Sequence, residues 1–143
     1  MLWSDAWLLL ATIYAAREKP ASLEYIIAAA DFIQHAIVTF EEMEGALARL
    51  TANGFLHFSD GEFTPTEKTL TYYHSIAKPR RKVHVEEKDI ERFLGAQTWG
   101  ADQKPQDANV GVSFQALTRA SFDAAVNSYL ARHSNLTGVK KKK

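Results

Sequence analysis

Cysteine is absent from this chain, so a disulfide framework, a thiolate zinc site and a cysteine nucleophile are excluded. No apolar run approaches the ~20 residues that a helix needs to cross a bilayer. The seven glycines stand singly, which leaves no glycine-rich loop to cradle a phosphate. The N-terminal segment has neither a basic region nor a small-residue cleavage site, so we expect no signal peptide, no membrane contact and a cytoplasmic location.

Histidine is scarce and scattered, which argues against a metal centre. The five histidines form no His-Glu-x-x-His motif and no close pair. Asp31 and His35 lie one helical turn apart, a spacing that suits a surface ion pair better than a catalytic dyad. We therefore expect no metal, no cofactor and no enzymatic activity.

The net charge of the whole chain is zero, but the two halves carry opposite charges. Residues 1–77 contain four basic and ten acidic residues, a net charge of −6. Residues 78–143 contain thirteen basic and seven acidic residues, a net charge of +6. Any contact with a polyanion therefore has to depend on the C-terminal half.

Residues 38–67 predict a helix, a β-hairpin and the start of another helix. Thr39 and Glu42 have the spacing of a capping box, and Gly54 is the expected stop of the helix that follows. Asp60-Gly61 indicates a two-residue hairpin turn, because both central positions of that turn need positive φ. Thr66, or Thr64 with Pro65 behind it, is expected to cap the next helix.

Apolar residues at spacings of three and four predict the remaining helices. Two precede this stretch, the first capped by Ser4 and the second over residues 23–35, and further helices are expected at residues 66–77, 86–94 and 113–133. The last of these has a broad apolar surface, so we expect it to pack on the first helix or to pair with a second copy. The expected core includes Trp7, Leu10, Ile26, Ile33, Met43, Leu47, Leu50 and Phe55.

These elements predict a mainly α fold with a small β-hairpin. Residues 1–77 are expected to form one domain. Residues 78–135 would be a linker and a C-terminal helical extension, and residues 136–143 a disordered basic tail.

The order of three helices, a tight hairpin and a following helix resembles a winged helix-turn-helix domain. The segment ALARLTANGFLHFSDGEFTPTEK is similar to the recognition helix and wing of bacterial repressors of the multiple-antibiotic-resistance and phenolic-acid-decarboxylase types. In those families a helix ending in Leu is followed by Gly-Leu/Phe, a hairpin and Leu-Thr-x-x-Gly. Leu50, Gly54-Phe55 and Asp60-Gly61 match this pattern, whereas Thr69 stands where the last Gly is expected. The resemblance covers residues 3–77 and implies DNA binding through the third helix.

The charge of that third helix argues against DNA binding. Glu41, Glu42 and Glu44 stand at its leading end, where carboxylates repel phosphate, and Arg49 is its only base. Favourable interaction with the helix dipole explains the same carboxylates. DNA binding would therefore require a dimer that brings in basic residues from elsewhere in the chain.

A basic run at residues 78–82 includes Arg80, Arg81 and Lys82. It could contact nucleic acid or an acidic partner, but a solvated linker after a helix C-terminus explains it as well, and we favour the linker. Trp99 lies in a polar segment, where it is expected to pack that segment onto the domain or to anchor a partner.

Two functional hypotheses follow. The favoured one is a non-enzymatic winged-helix module, an adaptor or regulator, that contacts a protein partner or a second copy of itself. The alternative is a DNA-binding transcriptional regulator that acts as a dimer. The candidate interaction surface comprises Glu41, Glu42, Glu44, Arg49, Arg80, Arg81, Lys82 and Trp99.

Overall fold

The computed structural model describes residues 3–97 and 117–141, which form six helices and one two-stranded antiparallel hairpin. The mainly α fold class with a small β-hairpin is confirmed. Within these residues, no helix is long and apolar enough to span a membrane. In chain order the elements are α1 (Trp3–Ala15), α2 (Leu23–Gln34), α3 (Phe40–Ala52), β1 (Leu56–Ser59), β2 (Glu62–Pro65), α4 (Glu67–Ile76), α5 (Val83–Gly95) and α6 (Arg119–Lys141).

The capping box and the hairpin turn are both confirmed. The backbone N–H of Glu42 donates to Thr39 Oγ1 over 3.1 Å, and the N–H of Thr39 donates to Glu42 Oε1 over 2.9 Å. Asp60 and Gly61 have φ values of 52° and 78°, as a tight two-residue turn requires. Gly54 ends the α3 segment with a φ of 81°. All eight predicted core residues are buried.

The hairpin is fastened to the helices at two points. Ala21, between α1 and α2, exchanges two backbone hydrogen bonds of 2.8 and 2.9 Å with Phe63 of β2. Thr66 holds the N-cap position of α4, as predicted, but its side chain makes no capping bond. Its hydroxyl instead donates to the Gly54 carbonyl over 2.6 Å, which ties the start of α4 to the end of α3.

Helix α1 is buried on almost all sides, because α2, α3 and α5 pack around it. Every residue from 4 to 13 is buried, so the helix has no solvated face over this length. Ser4 lies inside the helix, which begins at Trp3, and the prediction that Ser4 caps it is wrong. Trp3 stacks on Trp7 with a centroid distance of 5.3 Å.

An ion pair within this packing joins α1 to α3. Arg49 Nη2 donates to Asp5 Oδ1 over 2.7 Å, and the two side chains are only 6% and 0% exposed. Arg49 Nε donates to the same carboxylate. The prediction that Arg49 belongs to an interaction surface is therefore wrong, because its charge is neutralised inside the core. A Cβ at Gly45 would lie 2.8 Å from Arg49 Nη1, so glycine leaves the space that the guanidinium occupies.

Helix α5 belongs to the same core. It begins at Val83, three residues before the predicted start, and Ile90 and Leu94 are fully buried among residues of the first four helices. Residues on both sides of the predicted domain boundary at residue 77 therefore share one core. Glu87, on the buried face of α5, accepts a hydrogen bond from Gln34 Nε2, while its Oε2 has no partner. Burial raises the pKa of this carboxyl above its usual value.

Helix α6 crosses the outer side of α2. Thr118 and Ser121 cap it reciprocally, with backbone-to-hydroxyl bonds of 2.9 and 3.0 Å. Tyr129 Oη donates to Asp31 Oδ2 over 2.5 Å, and this contact with α2 differs from the predicted packing on α1. Burial and the Asp31 carboxylate raise the pKa of Tyr129 to about 12. The backbone of residues 136–141 is helical, although the sequence predicts a disordered tail there.

Replacing Arg49 by Met should lower the free energy of unfolding by about 3–5 kcal/mol, because the Asp5 carboxylate would remain buried without its charged partner. The double variant Asp5→Leu/Arg49→Met should recover most of that loss, since no charge then stays in the core. Urea denaturation of the three proteins measures both effects. An Arg49→Met protein within about 0.5 kcal/mol of the parent would contradict the buried pair.

Replacing Glu87 by Gln should stabilise the protein at neutral pH. The pKa of Glu87 is raised in the folded protein above its value in the unfolded chain, which is near 4.5. The contribution of Glu87 to the stability of the protein is therefore greatest below pH 4.5, where Glu87 is protonated in both states, and it is lost as the pH rises through the pKa of the folded state. Thermal melts from about pH 4 to about pH 8 should therefore show an advantage for Glu87→Gln that grows with pH. Glu91→Gln, on a more exposed position of α5, is the control. Equal pH profiles for the two variants would show that ionisation of Glu87 does not destabilise the folded protein.

Candidate functional site

An open cleft of about 790 Å³ lies where the C-terminal ends of α1 and α4 meet the first turn of α5. Residues 77–81, the connection between α4 and α5, form one wall, and Phe32 of α2 stands at the opposite edge. The volume falls within the range of about 300–1,000 Å³ that is typical of ligand sites. The cleft exists because α5 folds back onto α1, so that helix ends from three parts of the chain converge.

The floor of the cleft is a hydrogen-bonded group of two phenols and one carboxylate. Tyr14 Oη and Tyr73 Oη both donate to Glu86 Oε1, the second over 3.1 Å. Glu86 is 5% exposed. Burial raises the pKa of each phenol, and the Glu86 carboxylate raises it further, because ionising a phenol would place two negative charges together. Both tyrosines therefore remain protonated donors at neutral pH.

The rim of the cleft is positively charged. Arg17, Lys78 and Arg80 are exposed and line it. Within the part of the chain that the structure describes, none of the three forms a salt bridge with a carboxylate. The Arg17 guanidinium lies 4.8 Å from the centroid of the Tyr14 ring, which aligns it along the wall.

The turn that carries this basic rim is strained at one position. Arg80 has a φ of 67°, in the left-handed region that side chains with a Cβ seldom adopt. The next residue, Arg81, is half-buried and paired with Asp89, which also accepts from Arg92 Nη1 over 3.1 Å. The ion pair anchors the turn and leaves the Arg80 side chain exposed.

An aromatic side chain borders the charged rim. Phe32 is 62% exposed, the largest fraction among the exposed large apolar residues in the described part of the chain. Its ring lies 6.4 Å from that of Tyr14. A partner seated in the cleft would therefore contact cations and an apolar surface together.

This arrangement suits binding better than acid–base chemistry. A general acid or base works best with a pKa near the operating pH, whereas both phenols are shifted away from neutrality. Glu86 is already occupied by two donors. Among the described residues, no group of three or more Asp, Glu or His side chains is placed to hold a metal ion.

The residues of the predicted interaction surface lie in different parts of the structure. Arg80 and Arg81 line the cleft, and Lys82 is exposed beside it at the N-cap of α5. The acidic residues Glu41, Glu42 and Glu44 belong to the start of α3 and do not line the cleft. Trp99 lies outside the described residues. The predicted solvated linker is a folded wall of the cleft, because Arg81 is tied to Asp89.

The start of α6 contacts the start of α3 through Phe40 and Glu41. Phe40 and Phe122 meet edge to face with a centroid distance of 5.7 Å, and Phe122 is 6% exposed. Arg119 Nη1 lies 3.6 Å from Glu41 Oε2, and its guanidinium lies 5.4 Å from the Phe40 ring centroid. The end of α3 that a reading helix would present to DNA is therefore in contact with the protein's own last helix.

Sequence reasoning singled out none of four residues that line the cleft: Arg17, Tyr14, Tyr73 and Glu86. Of these, Glu86 is the one whose burial the sequence could have indicated. The signal that could have found it is its spacing of four and eight residues from Ile90 and Leu94, which places it on the buried face of α5.

The chain matches no protein-family model, no curated protein and no solved structure. Function has to be inferred from the fold and the cleft themselves.

Replacing Tyr14 by Phe should lower the free energy of unfolding by about 1.5–3 kcal/mol, because the hydroxyl bonds to a buried charged carboxylate. Tyr72→Phe is the matched control. The Tyr72 hydroxyl donates over 3.0 Å to the neutral backbone carbonyl of Asp89, so its loss should cost about 0.5–1.5 kcal/mol. Chemical denaturation of both variants measures the difference in unfolding free energy. Equal losses would show that the hydrogen bond from Tyr14 to the Glu86 carboxylate contributes no more than a bond to a neutral carbonyl.

Proposed function

We propose that this protein is a non-enzymatic winged-helix module that acts in the cytoplasm through protein contacts, as an adaptor or regulator. The observation that carries the proposal is the contact of the start of α6 with the start of α3. A winged helix that reads DNA inserts its third helix into the major groove with the N-terminal residues at the base edges. Here Phe40 and Glu41, at that end of α3, contact Phe122 and Arg119 of the same chain.

The winged-helix assignment rests on the order and geometry of the elements. Three helices are followed by a hairpin with a tight Asp60-Gly61 turn and then by a fourth helix. The hairpin is bonded to the connection between α1 and α2 through Ala21 and Phe63. These features support the resemblance over residues 3–77.

The charge of α3 supports protein contacts over DNA contacts. Arg49 is the only Lys or Arg in this helix, and its charge is paired inside the core. Its remaining charged residues are Glu41, Glu42 and Glu44, which would repel phosphate. The positive groups lie instead around the cleft, beside exposed Phe32. Aromatic and Arg side chains are the types enriched at protein interfaces.

The full chain should bind duplex DNA weakly and without sequence preference. Its exposed cations at residues 78–82 give an electrostatic attraction that depends on counterion release. Fluorescence anisotropy should detect that binding at about 50 mM salt and lose it near about 200 mM salt. A salt-resistant, sequence-selective complex would contradict the proposal and establish the dimeric regulator instead.

A pull-down from native cell extract provides the positive test. A protein partner should be retained after nuclease treatment, because no nucleic acid bridges the contact. The Phe32→Asp variant should lose the same partner, since the substitution places a carboxylate on the apolar edge of the cleft. Loss of every captured protein on nuclease treatment would overturn the proposal.

A further inference from the structure

We propose that the cleft binds a short acidic segment of a partner protein, with an apolar side chain of that segment placed against Phe32. The proposal rests on the proposed function and names the site and the chemistry of the partner. It follows from three properties of the cleft: its charge, its aromatic edge and the acidity of the surfaces outside it.

The positive charge at the rim of the cleft favours a ligand that carries a carboxylate. Arg17, Lys78 and Arg80 line the cleft, and among the described residues Glu86 is the only carboxylate in its lining. Glu86 is buried at the floor and already accepts from two phenols, and it forms no salt bridge with the three cations. The Arg17 guanidinium lies 4.8 Å from the centroid of the Tyr14 ring, and a guanidinium is the cation that can pair with a carboxylate through two hydrogen bonds.

The exposed ring of Phe32 favours a partner segment that carries an apolar side chain as well as a carboxylate. Phe32 is 62% exposed and adjoins Tyr14, which lines the same cleft. Covering an exposed aromatic ring of this size removes apolar surface from water, which favours association. An acidic segment with one Leu or Phe would contact the cations and the ring at the same time.

The surfaces outside the cleft favour a short segment over a nucleic acid. Residues 1–77 carry a net charge of −6, and the exposed hairpin tip includes Asp60. A duplex is longer than the cleft, and any unpaired carboxylate of residues 1–77 that it reached would repel its phosphates. A peptide that ends within the rim avoids them.

The strained turn is consistent with a binding role. Arg80 keeps a left-handed backbone that glycine would adopt without strain. The anchoring of Arg81 by Asp89 fixes the backbone turn from which the exposed Arg80 side chain projects at the rim. Such pre-organisation reduces the entropy that binding has to overcome.

Three labelled peptides test the proposal on the full chain. The first alternates Asp and Glu with Leu and Phe, the second replaces each acid by its amide, and the third is a scrambled basic peptide. Fluorescence anisotropy should show binding of the acidic peptide about tenfold tighter than of its amide counterpart. The double variant Lys78→Glu/Arg80→Glu should weaken that binding by about tenfold, because both substituted positions are on the rim.

Lys88→Glu is the matched control for the double variant. Lys88 is exposed on α5 outside the cleft, so its reversal changes the net charge without changing the rim. It should weaken binding less than about twofold, and Phe32→Ala should weaken it about three- to tenfold. Circular dichroism melts of each variant establish that the fold is retained. Backbone NMR shifts caused by the acidic peptide should be centred on Arg17 and Tyr73.

The outcomes separate this proposal from the proposed function. Equal affinity for the acidic and amide peptides, equal weakening by Lys88→Glu, or NMR shifts centred elsewhere would overturn the assignment of the cleft. Duplex DNA that still displaces the acidic peptide near about 200 mM salt, where the non-specific binding predicted above is lost, and that loses affinity in the double variant would identify a nucleic-acid site instead. A nuclease-resistant protein partner captured equally by parent and double variant would leave the proposed function standing and reject the cleft as its site.

Discussion

The buried ion pair between Asp5 and Arg49 is the interaction on which this architecture depends. It joins the helix at the centre of the core to the helix that a winged-helix protein would use for reading DNA. A pair with both partners out of water is stabilising only while it is complete, so α1 and α3 are held in one relative position. Gly45 is part of the same constraint, because a side chain there would displace the guanidinium. The pair also removes the only Lys or Arg side chain of α3 from the surface.

The cleft lies beside two carboxylates that α5 buries in the core. Helix α5 brings Glu86 and Glu87 against α1 and α2, where hydroxyl and amide donors compensate for lost solvation. Glu86 accepts from two phenols, and Lys78 and Arg80 of the α4–α5 connection form no salt bridge with a carboxylate among the described residues. The cleft therefore keeps a positively charged rim.

Local signals in the sequence predicted local structure well. The Thr39 capping box, the Asp60-Gly61 turn and the buried apolar stripes depend on residues that are near in sequence, and each is confirmed. Long-range partners were not predictable in this way. Nothing near Arg49 indicates that Asp5, 44 positions away, lies opposite it. The start of α5 was misplaced because Glu86 and Glu87 look like exposed residues until their partners from α1, α2 and α4 are known. Two of the cleft cations, Arg80 and Arg81, were identified from composition, whereas the floor that gives them a function was not.

The central claim is that the start of α6 packs against the start of α3 within a single chain. Proton NMR tests it most directly, since the Phe40 and Phe122 rings are 5.7 Å apart between centroids and should show cross-relaxation. We expect strong contacts between these two rings, and none of them should be intermolecular when labelled and unlabelled chains are mixed. Absence of the contact in the free protein would contradict the account, because α3 would then be open to DNA. Ring contacts that arise only between chains would contradict it as well, because a second copy and not the same chain would then cover that helix.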